Sequence, residues 1–269
     1  MYDGHRVIVV TPAGRRRYME ILARYIGRAL GGVVDSWHLW ANTNDADDLE
    51  YIRHLMHHRS RRIYPFSDGD ASRGIQNIRN FYPRACEPGT VYVRLDDDIV
   101  YLEDGFFTAL VEFRLQEANA LLVSASVVNN VLCDWLRQRS VGMVPESPRI
   151  TYNAMCATGW GSGLWAEAVH RKFLETNHGW WTTTDWRLLD YERLSINAVS
   201  WRGEDMAEIV KAGGVGLDEE SWLTQVYPRQ TGRVNVICGS AVCAHFAFYP
   251  QRAYLDKTDI LQKYRELSE

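Results

Sequence analysis

Apolar residues in the first 128 positions switch repeatedly between two spacings, and this switching limits the fold more than any other feature. "RVIVV" (6–10) is a continuous apolar run ending at Thr11-Pro12, and reads as a buried strand. Tyr18, Ile21, Leu22, Tyr25, Ile26, Ala29 and Leu30 recur at helical spacing, which predicts an amphipathic helix over 15–30 stopped by Gly31-Gly32. The pattern then repeats. "VVDSWHLWAN" (33–42) is a second strand, 46–58 a helix, and "RIYPF" (62–66) a short third strand. A loop with Asp68, Gly69 and Asp70 leads into a helix near 72–82. "TVYVRL" (90–95) is a fourth strand, 105–119 a helix and "ALLVSASVV" (120–128) a fifth strand. Strands separated by helices predict a mostly parallel α/β sheet with helices on its faces. Such sheets bind ligands beyond the carboxyl ends of their strands. Thr11, Asn42 and the run Asp96, Asp97, Asp98 should meet there.

The second half is less regular. Residues 137–185 carry Gly, Ser, Pro and aromatic clusters, as in "CATGWGSGLW" and "NHGWWTTTDW", and read as a lobe of mobile loops. A short helix is predicted at 204–212, ending at Gly213-Gly214, and a helix start at 217–226. Residues 233–248 read as strand and the tail from 254 as helix. With no repeat and no linker, the expected organisation is one domain over 1–269. Its halves would be 1–130 and 131–269.

Bulk properties remove several function classes. The net charge is −4 with both signs spread along the chain, so nucleic acid is not an expected partner. No stretch reaches 18 apolar residues, and the N-terminus lacks a signal-peptide pattern. Five cysteines without a CxxC spacing suggest reduced thiols and a cytoplasmic location. The aromatic-rich loops leave peripheral contact with a membrane open. Ten Trp and fourteen Tyr are more than a core of this size needs, and rings of this kind can stack on sugars.

Three adjacent carboxylates repel one another unless a cation or water compensates them. At the end of an apolar strand, Asp96–Asp98 could hold a hard divalent ion, which prefers oxygen ligands and shares its site with substrate phosphates. An acidic turn facing solvent is the plainer reading. A second acidic run, Asp218, Glu219 and Glu220, suits a helix N-terminus, where the macrodipole favours negative charge. It equally suits a general base. His245, in "CAHFAF", is either a core histidine or a ligand. Glu204-Asp205, in "WRGEDM", fits a helix start better than an acceptor-sugar contact. Arg73, Arg79, Arg94, Arg229 and Arg252 are candidate diphosphate partners, and spacing singles out none of them.

Four segments together resemble the nucleotide-sugar glycosyltransferases of GT-A fold, family 2 in particular. "VIVVTPAG" is similar to the family's opening strand. "SRGIQNIRNFYPRACEPGTVYVRLDDD" looks like its N-rich helix, strand and D-x-D motif. "WRGEDMAEIVKAGGVGLDEESWL" is similar to its helix, Gly-Gly and acidic segment, and "GSAVCAHFAF" sits where some members place a late histidine. The likeness spans about residues 5–248. It implies a Rossmann-like sheet flanked by helices with an irregular C-terminal acceptor lobe. It implies Mn2+ or Mg2+ held by Asp98, Asp96 and His245. Thr11, Pro12, Asn42, Arg73, Asn77, Asp96 and Asp97 would bind the donor nucleotide. Glu220, or its neighbours Asp218 and Glu219, would be the base, since the family's usual E-D is replaced here by D-E-E. Trp160, Trp180, Trp181 and Trp186 would form the acceptor side.

The implied reaction is transfer of a sugar from a nucleoside diphosphate to a hydroxyl of a saccharide or glycoconjugate, with inversion. Two other readings remain. A sugar nucleotidyltransferase would carry a Gly-rich basic loop after the first strand, of which "TPAGRRR" is a partial match. A non-catalytic carbohydrate-binding protein on the same fold would have no need of both acidic runs.

Overall fold

The computed structural model describes residues 1–59, 61–65, 80–140, 143–176, 178–215 and 218–269. Among these residues the strands are β1 (Arg6–Ala13), β2 (Ser36–Ala41), β3 (Ile63–Pro65), β4 (Thr90–Leu95), β5 (Ile99–Leu102), β6 (Ala120–Val128), β7 (Trp186–Leu188), β8 (Ala198–Arg202) and β9 (Val234–His245). They form one sheet in the order β3-β2-β1-β4-β8-β6-β9-β5, and β7 pairs with β9 off that path. The run β3-β2-β1-β4 is parallel throughout. Beyond it, β8 lies antiparallel between β4 and β6. Strand β9 is parallel to β6 and antiparallel to β5 and β7. The fold is α/β, with the parallel half built from the segments whose spacing predicts it.

Helices α1 (Arg16–Ala29), α2 (Ala46–His54), α3 (Phe106–Gln116), α4 (Val131–Ser140), α5 (Gly163–Glu175) and α6 (Gly203–Lys211) cover the sheet. Alternation along β1 explains the two layers. Val7 and Val9 pack with Tyr18, Ile21 and Leu22 of α1. Ile8 and Val10 face the other cluster, with Trp40, Phe81, Tyr92, Trp201 and Met206. Pro12 is tolerated because the pairing of β1 with β4 ends at Val10, so no neighbour on that side needs its missing N–H.

The region expected to be irregular is more ordered than its composition suggests. It contains the last turn of α4 and all of α5, and the Ser162 hydroxyl caps α5 by accepting the Trp165 N–H at 3.2 Å. Ala166, Val169, His170 and Phe173 are buried at helical spacing, a signal masked by the glycines ahead of them. Strands β5, β7 and β8 were not expected either, being three to five residues long. Of the helix expected near 72–82, residues 72–79 lie outside the described residues, and a 3-10 turn over Tyr82–Arg84 follows. The five cysteines form no disulfide. Among the described residues no helix is long and apolar enough to cross a membrane.

The acids of "WRGEDM" belong to a helix start. Glu204 and Asp205 lie in the first turn of α6, and buried Asp205 pairs with Arg233 at 2.8 Å and Arg202 at 3.3 Å. Gly203 is required there by close approach, since a Cβ would lie 1.9 Å from the Glu87 carbonyl oxygen. Overpacking against backbone costs about 1–3 kcal/mol. Gly203→Ala should therefore lower the unfolding free energy by that amount, read as a lower urea midpoint with an unchanged slope.

Candidate active site

The three aspartates form the turn between β4 and β5, at the carboxyl end of β4 (Ile99 N–H to Asp96 carbonyl, 3.1 Å). Three guanidiniums from separate parts of the chain meet them. Asp96 Oδ1 accepts from Arg94 Nε at 3.1 Å, and Arg94 lies two residues earlier on the same face of β4. Asp97 accepts the Arg15 backbone N–H at 2.8 Å and Arg15 Nε at 3.0 Å. Asp98 Oδ2 lies 2.9 Å from Arg15 Nη1 and 3.4 Å from Arg252 Nη2. Gly14 lets the β1–α1 loop come this close, because a Cβ there would sit 3.2 Å from Asp97 Oδ2.

The register of β5 on β9 brings in His245. Ile99 pairs with His245, and the Phe246 N–H donates to the Asp98 carbonyl at 2.8 Å. His245 Nε2 then lies 3.5 Å from Asp98 Oδ2, while Nδ1 lies 3.2 Å from the Asn129 carbonyl. With the Nδ1 proton directed at that carbonyl, Nε2 can act as a ligand once it gives up its own proton. Asn129, in the left-handed region at φ 59°, also donates to the His245 and Phe246 carbonyls and to Gln251. It thereby fixes the loop that carries both His245 and Arg252.

These surroundings push the carboxylates apart. Burial raises Asp96, which the Arg94 charge only partly offsets, to about 6. Burial also raises Asp97 against the pull of Arg15. For Asp98, burial is outweighed by Arg15 and His245, and its pKa falls below the ordinary carboxylate range. Burial would lower His245, but the Asp98 charge prevails and raises it.

A divalent cation fits this donor set. Asp98 Oδ1 is buried and has no hydrogen-bond partner, and His245 Nε2 is on the same carboxylate. No group of three His, Cys, Asp or Glu side chains is spaced to hold a metal among the described residues. Asp98 and His245 would therefore supply part of the coordination, the rest coming from phosphate and water, as is usual for Mg2+.

The second acidic run reaches the aspartates through Arg94, whose Nη1 lies 3.2 Å from Glu219 Oε1. Glu219 Oε2 is buried and unpartnered. Asp218 caps the turn α7 (Glu219–Ser221) by accepting the Ser221 N–H at 3.1 Å, and Arg193 grips it at 2.8 and 3.1 Å. Arg193 also holds Glu220 at 2.7 Å. Burial raises the Glu220 pKa, against the pull of Arg193.

The other sequence candidates are scattered. Thr11 is buried, and its hydroxyl accepts the Trp37 indole N–H at 2.9 Å, so it is occupied inside the core. Pro12 lies within β1. Asn42 follows β2 beside Gly14 and has a buried, unpartnered Oδ1. Arg73, Asn77 and Arg79 lie outside the described residues. Arg229 is remote from the aspartates in its contacts, touching Tyr191 and the Asp190 carbonyl. Of the tryptophans expected on an acceptor side, burial removes Trp181. Trp181 is core, packed on Phe173. Trp160 and Trp186 pack against the core, and Trp180 is exposed. Trp186 pairs with Ile237, eight residues from His245 along β9, or roughly 25 Å at about 3.3 Å per residue. A cleft of about 380 Å³ lies instead beside Arg193, lined by Tyr152, Tyr191, Glu192 and Arg229. A larger concavity, about 630 Å³, includes Trp37 and Ile63 at the amino ends of β2 and β3, opposite the aspartates.

No family model matches this sequence, and no curated protein matches it. Solved structures do. One, GalNAc-T7 with UDP, GalNAc and Mn2+, superposes with a TM-score of 0.54 at 12% identity, over 99% of this chain and 48% of that one. A solved mycobacterial protein gives 0.50 at 14% identity, over 90% of this chain and 68% of that one. The fold is GT-A-like. This chain thus spans about half the length of the GalNAc-T7 structure.

In this GT-A-like sheet Arg94 is the buried cation between two acids. Removing one partner of a buried ion pair costs about 3–5 kcal/mol. Arg94→Met should lower unfolding stability by about that much in urea titrations at pH 7, and by less at pH 5, where Asp96 is protonated.

Proposed function

We propose that this chain is a metal-dependent glycosyltransferase. It moves a sugar from a nucleoside-diphosphate donor to a hydroxyl of a saccharide or glycoconjugate acceptor, with inversion at the anomeric carbon. The observation that carries the reading is the Arg94 bridge, which joins Asp96 to Glu219 across 123 positions of sequence. Group transfer needs donor and base side by side, and effective concentration is the largest gain such placement offers.

Residues 1–130 form the donor half in this reading and 131–269 the acceptor half. Asn42 and Asp96 face the nucleoside, and Arg15 and Arg252 face its diphosphate. Pro12 and Thr11 shape the end of β1 from inside. A divalent cation held by Asp98 and His245 would neutralise charge on the leaving diphosphate. Glu220 is the base. Asp218 is committed to capping α7 and Glu219 to Arg94, whereas Glu220 adjoins Arg193 on the wall of the 380 Å³ cleft. There Tyr152, tilted against Trp135 at a ring-centroid distance of 4.7 Å, and Tyr191 offer faces and hydroxyls to a sugar. The acceptor oxygen bonds to the anomeric carbon. The bond from that carbon to the diphosphate oxygen breaks with its electron pair, and the hydroxyl proton goes to Glu220.

Thermal unfolding with UDP, GDP, CDP and ADP, each with and without Mn2+, tests donor binding. One nucleotide should raise Tm in a metal-dependent way, and Asp98→Ala should abolish the rise. No rise with any of them would defeat the reading. Pyrophosphate release from a nucleoside triphosphate and a sugar phosphate would redirect it to nucleotidyl transfer.

Glu220→Gln should lower kcat by about 10²–10⁴ and leave donor affinity nearly unchanged. Because burial raises Glu220, the acid limb of kcat/KM should lie above the usual glutamate value of about 4.3. Activity is lost as pH falls through it. Arg193→Leu removes the opposing charge and should move that limb to still higher pH.

A further inference from the structure

We propose that Arg15 is an exchangeable counter-ion, holding Asp97 and Asp98 where the donor's cation would act and leaving when cation and diphosphate arrive together. The inference rests on the transferase reading for the identity of the diphosphate, but not for the competition between Arg15 and a metal.

Charge balance is the starting point. Three carboxylates, Asp96–Asp98, face three guanidiniums, those of Arg94, Arg15 and Arg252, with Arg94 shared with Glu219. The turn is thus within one charge of balance. A dication added alone would leave an excess of positive charge in a buried site, which is unfavourable at low effective dielectric. A nucleoside diphosphate brings the matching negative charge and gives a displaced guanidinium a new partner with the same forked geometry.

Arg15 is built to make that move, and Arg94 is not. The Arg94 side chain is 6% exposed, inside the sheet, and tied to Glu219 as well as Asp96. The Arg15 side chain is 31% exposed and leaves the chain just before α1, where it caps nothing. Its peptide N–H, not only its side chain, binds Asp97 at 2.8 Å. Asp97 therefore keeps a donor when the guanidinium leaves. Tyr18 lies 5.7 Å from that guanidinium and offers a ring face during the exchange. Asp98 Oδ2 would give up a contact of 2.9 Å, while His245 and Arg252 remain beside it.

The test is Mn2+ binding followed by electron paramagnetic resonance, which needs no turnover. Metal bridging to phosphate produces some cooperativity by itself, so the comparison that decides is made with Mn2+ alone. Arg15→Met should bind Mn2+ about tenfold more tightly than wild type, within the usual range of coupling between sites. Arg15→Lys, which keeps the charge, should bind it weakly, as wild type does. With UDP, GDP or CDP present, wild type should gain affinity for Mn2+ and Arg15→Met should gain less. Should Arg15→Met fail to fold, Arg15→Met in an Asp97→Asn background is compared with Asp97→Asn alone, and the same increase is expected. Equal or weaker Mn2+ affinity on loss of Arg15 would overturn the proposal. If none of the three nucleotides binds while loss of Arg15 still tightens Mn2+, the donor reading fails and the counter-ion stands.

Discussion

Three consecutive carboxylates at a buried strand end cannot coexist without compensation, and the site is organised around supplying it. Arg94 comes from the same strand, Arg15 from the loop after β1, and Arg252 from the start of the C-terminal tail. These contacts tie the first strand, the fourth strand and the tail to a single turn. They are poor devices for stability, since desolvating such charges costs about as much as their attraction returns. Their consequence is positional. Each aspartate is held in a different electrostatic setting, so that adjacent residues of identical chemistry differ in basicity and in what they can bind.

The sheet's change of direction makes the second half of the chain part of this site. After Asp98 the chain runs into β5, which pairs with β9 and not with β4. The partner of Ile99 in that register is His245. On the other flank β8 lies antiparallel against β4, and Asn197, just before it, accepts the Asp96 N–H at 2.8 Å. The acidic helix start is then held to the sheet by Arg94 and Arg193. A purely parallel sheet would have left these later segments outside the turn's reach.

The parallel half, the position of Asp96–Asp98 at a strand's carboxyl end and the helix-start role of Glu204-Asp205 were legible in the sequence. Each depends on local spacing or on a strand end, and local spacing is set by the geometry of strand and helix. Arg94 was within reach of the same reasoning, because residues two apart on a strand share a face. Arg15 was partly so, as it follows the first predicted strand in "TPAGRRR". Among the aromatic residues, Trp181 was misread. A tryptophan's burial depends on what packs against it, so Trp181 and Trp201 entered the core while Tyr152 and Tyr191 came to line the cleft.

By itself, then, the sequence determined the alternation of strand and helix and the local charge that the fold had to accommodate. The tertiary structure decided which cations answer that charge, which oxygen of Asp98 is left without a partner, and which arginine each of three neighbouring acids meets. The physical reason is range. Backbone periodicity is encoded within a few residues, whereas the pairings of Asp98 with His245, Asp97 with Arg15 and Asp96 with Glu219 through Arg94 span 147, 82 and 123 positions. Such pairings exist only after strand register and helix packing have brought distant segments within a few ångströms.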